Sequence, residues 1–131
     1  MGISAFLITH NEERKIGRTL DSLRWTDEQC VVDSDSSDHT VEICRSKGAC
    51  VSHRPFDNFA QQKNFALSLA IHEWVLSIDA DEIVTSELAN EIRQKVTSES
   101  PVCGYRIKRR NYFLRKPLKF AGQGNDYPLR L

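Results

Sequence analysis

At 131 residues, 40% of them apolar and 27% charged, the chain has the length and composition of one folded domain, not of a disordered polymer. Its apolar runs are strand-sized, far short of a membrane span, and MGISAFLI lacks a basic leader region or a small-residue cleavage site, so the expected setting is cytoplasmic. The net charge is zero, yet Lys and Arg number ten against seventeen acids over residues 1–104 and eight against one over 105–131.

Over the first hundred residues short apolar runs alternate with helical patterns, the signature of βα units on a mostly parallel sheet. Strands are expected near Ile3–Ile8, Gln29–Val32, Ala49–Ser52 and Trp74–Ile78. A first helix at 14–23 is marked by Ile16, Leu20 and Leu23 at i, i+4, i+7, with Thr9 and Asn11 ahead of it as capping candidates. Ser37 and Asp38 are N-cap candidates for a helix over 40–47. Phe59–Ile71 reads as a third helix, and Leu88, Ile92 and Val96 mark a fourth. Cys30, Cys44, Cys50 and Cys103 show no metal-ligand spacing; the contexts CVV, EIC and ACV predict that the first three are small core residues and not disulfides. After Ser100-Pro101 a β-like stretch, CGYRIKRRNYFL, leads to AGQGNDYP, and LRL reads as part of a strand, which predicts a domain truncated on its C-terminal side.

Ligands of open α/β sheets bind beyond the carboxyl ends of the strands. Three strands here run into polar groups that could meet there: THNEE at 9–13, DSDSSD at 33–38 and DADE at 79–82. On a continuing strand, D-x-D turns both carboxylates to one face, where their repulsion calls for a shared proton or cation. Mg²⁺ and Mn²⁺ suit such oxygen ligands and take one or two carboxylates together with substrate phosphates. Taken alone, Asp79, Asp81 and Glu82 are equally consistent with a solvated loop capping the next helix.

An apolar strand running into DxD fits two enzyme types. In one, CVVDSDSSD is similar to the haloacid-dehalogenase phosphatase motif, with Asp33 as nucleophile and Asp35 as general acid. In the other, DxD holds a metal on the diphosphate of a nucleotide sugar. Taken in order, ISAFLITHNEERKIGRTLDSL, VVDSDSSDHTVEI, FAQQKNFAL and WVLSIDADE resemble the family 2 glycosyltransferases of GT-A fold. More narrowly they look like the lipopolysaccharide-core β-1,4-glucosyltransferase subgroup, with its ITxNEE, VVDSGSxDxT, QKNxAL and DADE motifs, over roughly residues 2–131. A dehalogenase-like enzyme would place its nucleophile strand first and has no use for QKN or a second DxD.

The resemblance implies a Rossmann-like α/β sheet flanked by helices, forming a single domain. Residues 1–100 would carry the nucleotide-binding βα units and 101–131 the start of the acceptor side. Thr9, Asn11 and Glu12 would shape the first nucleotide loop, with Thr9 near uracil, and Asp33 and Ser34 would lie at the base and ribose. Asp35 stands where the pattern has Gly, and Asp tolerates left-handed backbone. Lys63 would direct a cation toward the nucleotide, Asp79 would contact the ribose or assist the metal, Asp81 would ligate Mg²⁺ or Mn²⁺, and Glu82 would support the following loop. The implied activity is inverting transfer of a hexose, glucose by preference, from a UDP-sugar to a lipopolysaccharide core or related glycan. Asp126 is the one carboxylate after Glu99 and hence the base candidate within the chain; bases of the family generally lie in the acceptor half, which points beyond Leu131. A nucleotide-binding module without transfer activity is the remaining alternative.

The stretch YRIKRRNYFLRKPLKF, residues 105–120, carries seven basic residues and no acid. Interleaved with aromatics it could grip single-stranded nucleic acid, or it could present a solvated strand face. For a transferase acting on a phosphorylated glycolipid, peripheral contact with the anionic inner membrane fits better.

Overall fold

The computed structural model describes residues 2–99, 101–110 and 128–131, and the backbone alone at 112–113, 116–117 and 125–126. The chain forms two compact units, Met1–Ser100 and Pro101–Leu131.

The first unit is built on β1 (Ile3–Thr9), β2 (Glu28–Asp33), β3 (Cys50–His53) and β4 (Trp74–Ser77), all parallel, in the order β3-β2-β1-β4. A parallel strand covered on both faces needs apolar residues throughout instead of alternation. β1 meets that demand: in ISAFLIT every residue except Ile8 is buried. On one face Phe6, Cys30, Val32 and Ala66 form a cluster packed by Ile8, Phe65, Leu69 and Val75. On the other, Ala5, Leu7, Val31 and Leu76 are at most 1% exposed.

The helices are α1 (Ile16–Asp21), α2 (Thr40–Ser46), α3 (Phe59–Leu69) and α4 (Ser86–Thr97). α1 is shorter than the 14–23 span expected: beyond Asp21, Ser22 and Thr26 turn their hydroxyls onto the carbonyls of Thr19 and Leu23, and the chain leaves the helix in turns. Ile16, Leu20 and Leu23 are nonetheless buried as the spacing predicts. α1 is tied to the segment after β4 by Thr19 Oγ1 donating to the Ala80 carbonyl at 2.9 Å and by the Val84 amide donating to Ser22 Oγ at 3.1 Å. Arg93 of α4 lies over the Trp25 ring at 5.4 Å.

Capping departs from the sequence reading at two helices. Neither Thr9 nor Asn11 caps α1, which starts at Lys15 without a side-chain cap. Ahead of α2, Asp38 accepts from the Thr40 amide, but the N-cap position is His39 and Ser37 donates its amide to Asn11 instead. α3 and α4 are capped by Asn58 and Thr85, each accepting from the amide three residues on. α3 ends at Leu69, and Ile71, expected inside it, is 76% exposed beyond its end. α2 closes on Gly48, whose φ of +85° supplies the left-handed residue that commonly ends a helix.

All four cysteines are free. Cys30 and Cys44 are buried, and desolvation pushes their thiols up to about 12 and about 11. Cys50 corrects the expectation: it is exposed, because among the described residues β3 is the edge strand, paired with β2 alone. Cys103 is exposed as well.

In the second unit β5 (Arg109–Arg110) pairs antiparallel with β8 (Asn125–Asp126), and β6 (Tyr112–Phe113) with β7 (Lys116–Pro117). Arg106 bridges Leu129, and the Ile107 amide donates to the Pro128 carbonyl at 3.0 Å. Much of the basic stretch 105–120 lies outside the described residues, as does the side chain of Asp126; Arg106, Lys108 and Arg110 are exposed.

Candidate functional site

The sheet register brings the polar strand ends level. Thr9 pairs with Asp33 across β1 and β2, and Phe6 pairs with Ser77 on the other side of β1, two residues before Asp79. The polar ends of β1, β2 and β4 therefore share one rim. The strand order reverses at β1, since β2 and β3 lie to one side of it and β4 to the other. Such a reversal opens a crevice between the carboxyl ends of the two flanking strands.

At the β1–β2 end, Asp33 is the anchor. It is 3% exposed and accepts from Thr9 Oγ1 at 2.8 Å, Ser36 Oγ at 2.6 Å and the Ser36 amide at 3.0 Å. Both oxygens are thus committed to holding the DSDSSD turn against β1. An attacking carboxylate needs a free oxygen, so this burial and bonding favour a structural role for Asp33 over that of the dehalogenase nucleophile. Its expected partner Asp35 is turned away, with φ 53° and a contact to His53 at the end of β3. The left-handed conformation anticipated at Asp35 is present, and Asn11 shares it at φ 52°.

Backbone of that kind is held open by side-chain hydrogen bonds between the two loops. The Asn11 amide donates to Ser36 Oγ at 2.8 Å, and Asn11 Oδ1 accepts from the Ser37 amide at 2.8 Å. The amides of Glu12 and Glu13 donate to Thr40 Oγ1 and Asp38 Oδ2. In return Glu13 Oε2 accepts from the His39 amide and ring, each at 3.1 Å. The Glu13 hydrogen bond, then the field of Glu42, raises the His39 pKa. Partial desolvation of Asp38 is outweighed by hydrogen bonds from the Thr40 hydroxyl and amide, leaving its carboxyl below the ordinary value.

At the β4 end the strand stops at Ser77, so alternation does not carry both carboxylates of DADE to one strand face. Asp79 and Asp81 instead flank a turn in which Ala80 points inward, 6% exposed. The Glu82 amide donates to the Asp79 carbonyl at 3.0 Å, and the Asp79 amide donates to Glu82 Oε2 at 2.9 Å. Glu82 is in this way a support for the loop. Lys63, from α3, donates to Asp79 Oδ1 at 3.2 Å, and Asp81 is exposed to solvent.

Among the described residues no three acidic, His or Cys side chains are gathered to hold a metal by themselves. Asp79 and Asp81 can supply one or two carboxylate oxygens, which fits a hard cation that takes its remaining ligands from phosphates and water. Two further residues at this rim were given no role by the sequence, although Gln62 belongs to the QKN motif. Arg54, just past β3, donates from Nη1 to Gln62 Oε1 at 3.0 Å and from Nη2 to Asp57 at 3.1 Å, with its guanidinium 5.5 Å over Phe65. Gln62, fully buried on α3, donates to Ser34 Oγ at 2.6 Å and to the Arg54 carbonyl at 3.1 Å. One signal was available: a strand-end Arg eight residues before a Gln that shares its helix face with Ala66.

Residues 4–124 match the family model described as glycosyl transferase family 2. An uncharacterized glycosyltransferase of Rickettsia conorii is 44% identical over 109 residues, covering 81% of this chain and 39% of the relative. The lipopolysaccharide core biosynthesis glycosyltransferase LpsC of Rhizobium meliloti is 32% identical over 117 residues, covering 86% of this chain and 43% of the relative. The chain thus spans less than half the length of these curated relatives. Among solved structures, S. aureus TarS matches with a TM-score of 0.60 and 29% identity over 73% of this chain and 19% of that one. Glucosyl-3-phosphoglycerate synthase from Mycobacterium tuberculosis, in complex with Mn²⁺, UDP and glucosyl-3-phosphoglycerate, matches with a TM-score of 0.55 and 27% identity over 60% of this chain and 33% of that one. With its parallel sheet flanked by helices the fold is GT-A, and the chain belongs to glycosyl transferase family 2.

Proposed function

We propose that this chain is the nucleotide-sugar side of an inverting hexosyltransferase that moves glucose from a UDP-sugar to a lipopolysaccharide core or related glycan. The observation that carries the reading is the Lys63–Asp79 contact, by which the QKN helix brings a cation to the first carboxylate of DADE, at the rim that also holds Thr9, Asp33 and Ser34. The likeness to LpsC supports the acceptor class, and the Mn²⁺ and UDP bound in the mycobacterial synthase support the donor.

In this reading Thr9, Asn11 and Glu12 line the nucleoside end, Asp33 holds that loop in shape, and Ser34 faces the base. Lys63, which pairs with Asp79, also offers its positive charge to the diphosphate. Asp81, with Asp79, holds Mg²⁺ or Mn²⁺, which supplies Lewis-acid stabilisation of the leaving diphosphate. The acceptor hydroxyl attacks C1 of the sugar as the bond to the diphosphate breaks, inverting the anomeric centre, and a carboxylate takes the hydroxyl proton. Asp126 is the base candidate within the chain, with a residue beyond Leu131 as the alternative. Residues 1–100 form the nucleotide part and 101–131 the start of the acceptor side. The basic stretch 105–120 makes peripheral contact with the cytoplasmic membrane face; no helix among the described residues is long and apolar enough to cross a membrane.

Calorimetric titration with UDP, with and without Mn²⁺, tests this function. Metal-dependent binding that is lost in Asp81→Ala is the expected result, and no binding in either condition overturns it.

A further inference from the structure

The orientation of the Gln62 amide follows from chemistry alone. A guanidinium only donates and a carbonyl only accepts. Gln62 meets both from one residue: Arg54 Nη1 at 3.0 Å on one side of the amide and the Arg54 carbonyl at 3.1 Å on the other. The amide oxygen must therefore face the guanidinium and the amide nitrogen the carbonyl, because a flipped amide would oppose donor to donor and acceptor to acceptor. The nitrogen has a second hydrogen, and it lies 2.6 Å from Ser34 Oγ. Ser34 thus accepts from Gln62, and its own hydroxyl hydrogen must go elsewhere. Ser34 is 6% exposed, and among the described residues that hydrogen has no acceptor.

We infer that Gln62 is a positioning residue for nucleobase recognition: it compels the Ser34 hydroxyl to donate a hydrogen bond to an acceptor on the base, a uracil carbonyl. The role rests on the proposed placement of a nucleoside at Ser34. Gln62 is suited to it because it is fully buried, both its amide hydrogens are used, and the guanidinium that fixes it is itself held by Asp57 and stacked on Phe65. A carboxylate at position 34 could only accept, so it would present the opposite polarity to the base.

The test measures affinities for UDP and for pyrophosphate, both with Mn²⁺, in the unaltered chain and in Ser34→Ala, Ser34→Asp, Gln62→Glu and Ser34→Ala/Gln62→Glu. Pyrophosphate has no base and serves as the control for a merely structural effect. Loss of one neutral hydrogen bond weakens UDP binding roughly three- to tenfold in Ser34→Ala. Ser34→Asp weakens it at least as much. In Gln62→Glu the carboxylate accepts the Ser34 hydroxyl hydrogen and withdraws it from the ligand, so adding Ser34→Ala produces no further loss. Pyrophosphate affinity falls by less than UDP affinity in every variant. Unchanged UDP affinity in Ser34→Ala, tighter UDP binding by Ser34→Asp, or parallel loss for both probes overturns the inference while leaving the proposed function standing. If the unaltered chain bound pyrophosphate but not UDP, the nucleotide reading and this one would fall together.

Discussion

The Lys63 ammonium and the Asp79 carboxylate meet at 3.2 Å with each side chain more than a third exposed. The contact joins α3 to the end of β4, and at that exposure screening by solvent keeps its share of stability small. Replacing Lys63 with Met changes the free energy of unfolding by about 1 kcal/mol or less. On its proposed role at the diphosphate, the same change is expected to weaken UDP binding in Mn²⁺ by roughly tenfold or more. Urea denaturation and calorimetry together separate the two effects; equal affinity in both proteins would remove Lys63 from the site.

Asp81 is exposed and outside regular structure. Asp81→Ala therefore leaves stability within about 0.5 kcal/mol. It removes the increment in UDP affinity that Mn²⁺ supplies and preserves whatever binding occurs without metal. Titrations with Mn²⁺ and with chelator check this directly.

Asp33 receives three hydrogen bonds in a nearly water-free setting. Asp33→Ala strands the Thr9 and Ser36 donors and destabilises the first unit by about 2–3 kcal/mol. Asp33→Asn, which keeps one acceptor oxygen, falls between the two. The urea midpoint moves while the slope of the transition stays the same.

The His39–Glu13 contact makes the loop junction pH-sensitive. Folding raises the His39 pKa above 6.5, through the Glu13 hydrogen bond first and the Glu42 charge second, so the contribution is complete below about pH 6.5 and fades as pH rises through the higher folded value. An NMR titration of the His39 ring gives a midpoint above 6.5 in the native protein, shifted part of the way back in Glu13→Gln because Glu42 remains. Asp38 acts in the opposite sense: its lowered value confers a contribution present above about pH 3.8 that is lost as pH falls through the folded value.

Leu7, with 0% exposure, lies in the interior of β1. Leu7→Ala opens a cavity that the flanking strands cannot close and costs about 2–5 kcal/mol, measurable as a lower urea midpoint.

The sheet was legible because buried parallel strands leave an unmistakable trace: IleSerAlaPheLeuIle and TrpValLeuSerIle can hardly be anything else, and their ends fall within a residue or two of β1 and β4. The four helices were legible from spacing, with their ends less so. Thr19, Ser22 and Asn11 have their hydrogen bonds decided by chain segments far away in sequence, which no local pattern records. The same reason hid Cys50, since ACV looks like core until the strand order leaves β3 at the edge. In the site, Lys63 and Asp79 were readable as a pair of motifs. Gln62 was visible as the first residue of QKN but its role was not, because only the fold shows Arg54 and Ser34 enclosing it.

β4 lies beside β1, with Ile3 opposite Trp74, although two strands and three helices intervene in the chain. Pairings that close so long a stretch of chain are costly in entropy and slow folding. Thr9 and Asp33 lie on β1 and β2, with Ser34 and Arg54 just past the ends of β2 and β3, whereas Asp79 follows β4. On the proposed assignment the nucleoside end is built by the neighbouring strands β1 to β3, and the diphosphate end also needs the long-range β1–β4 pairing. In a refolding experiment, capture of UDP through contacts that need Asp79 is expected to report the β1–β4 pairing, so the nucleotide becomes a probe of that long-range closure.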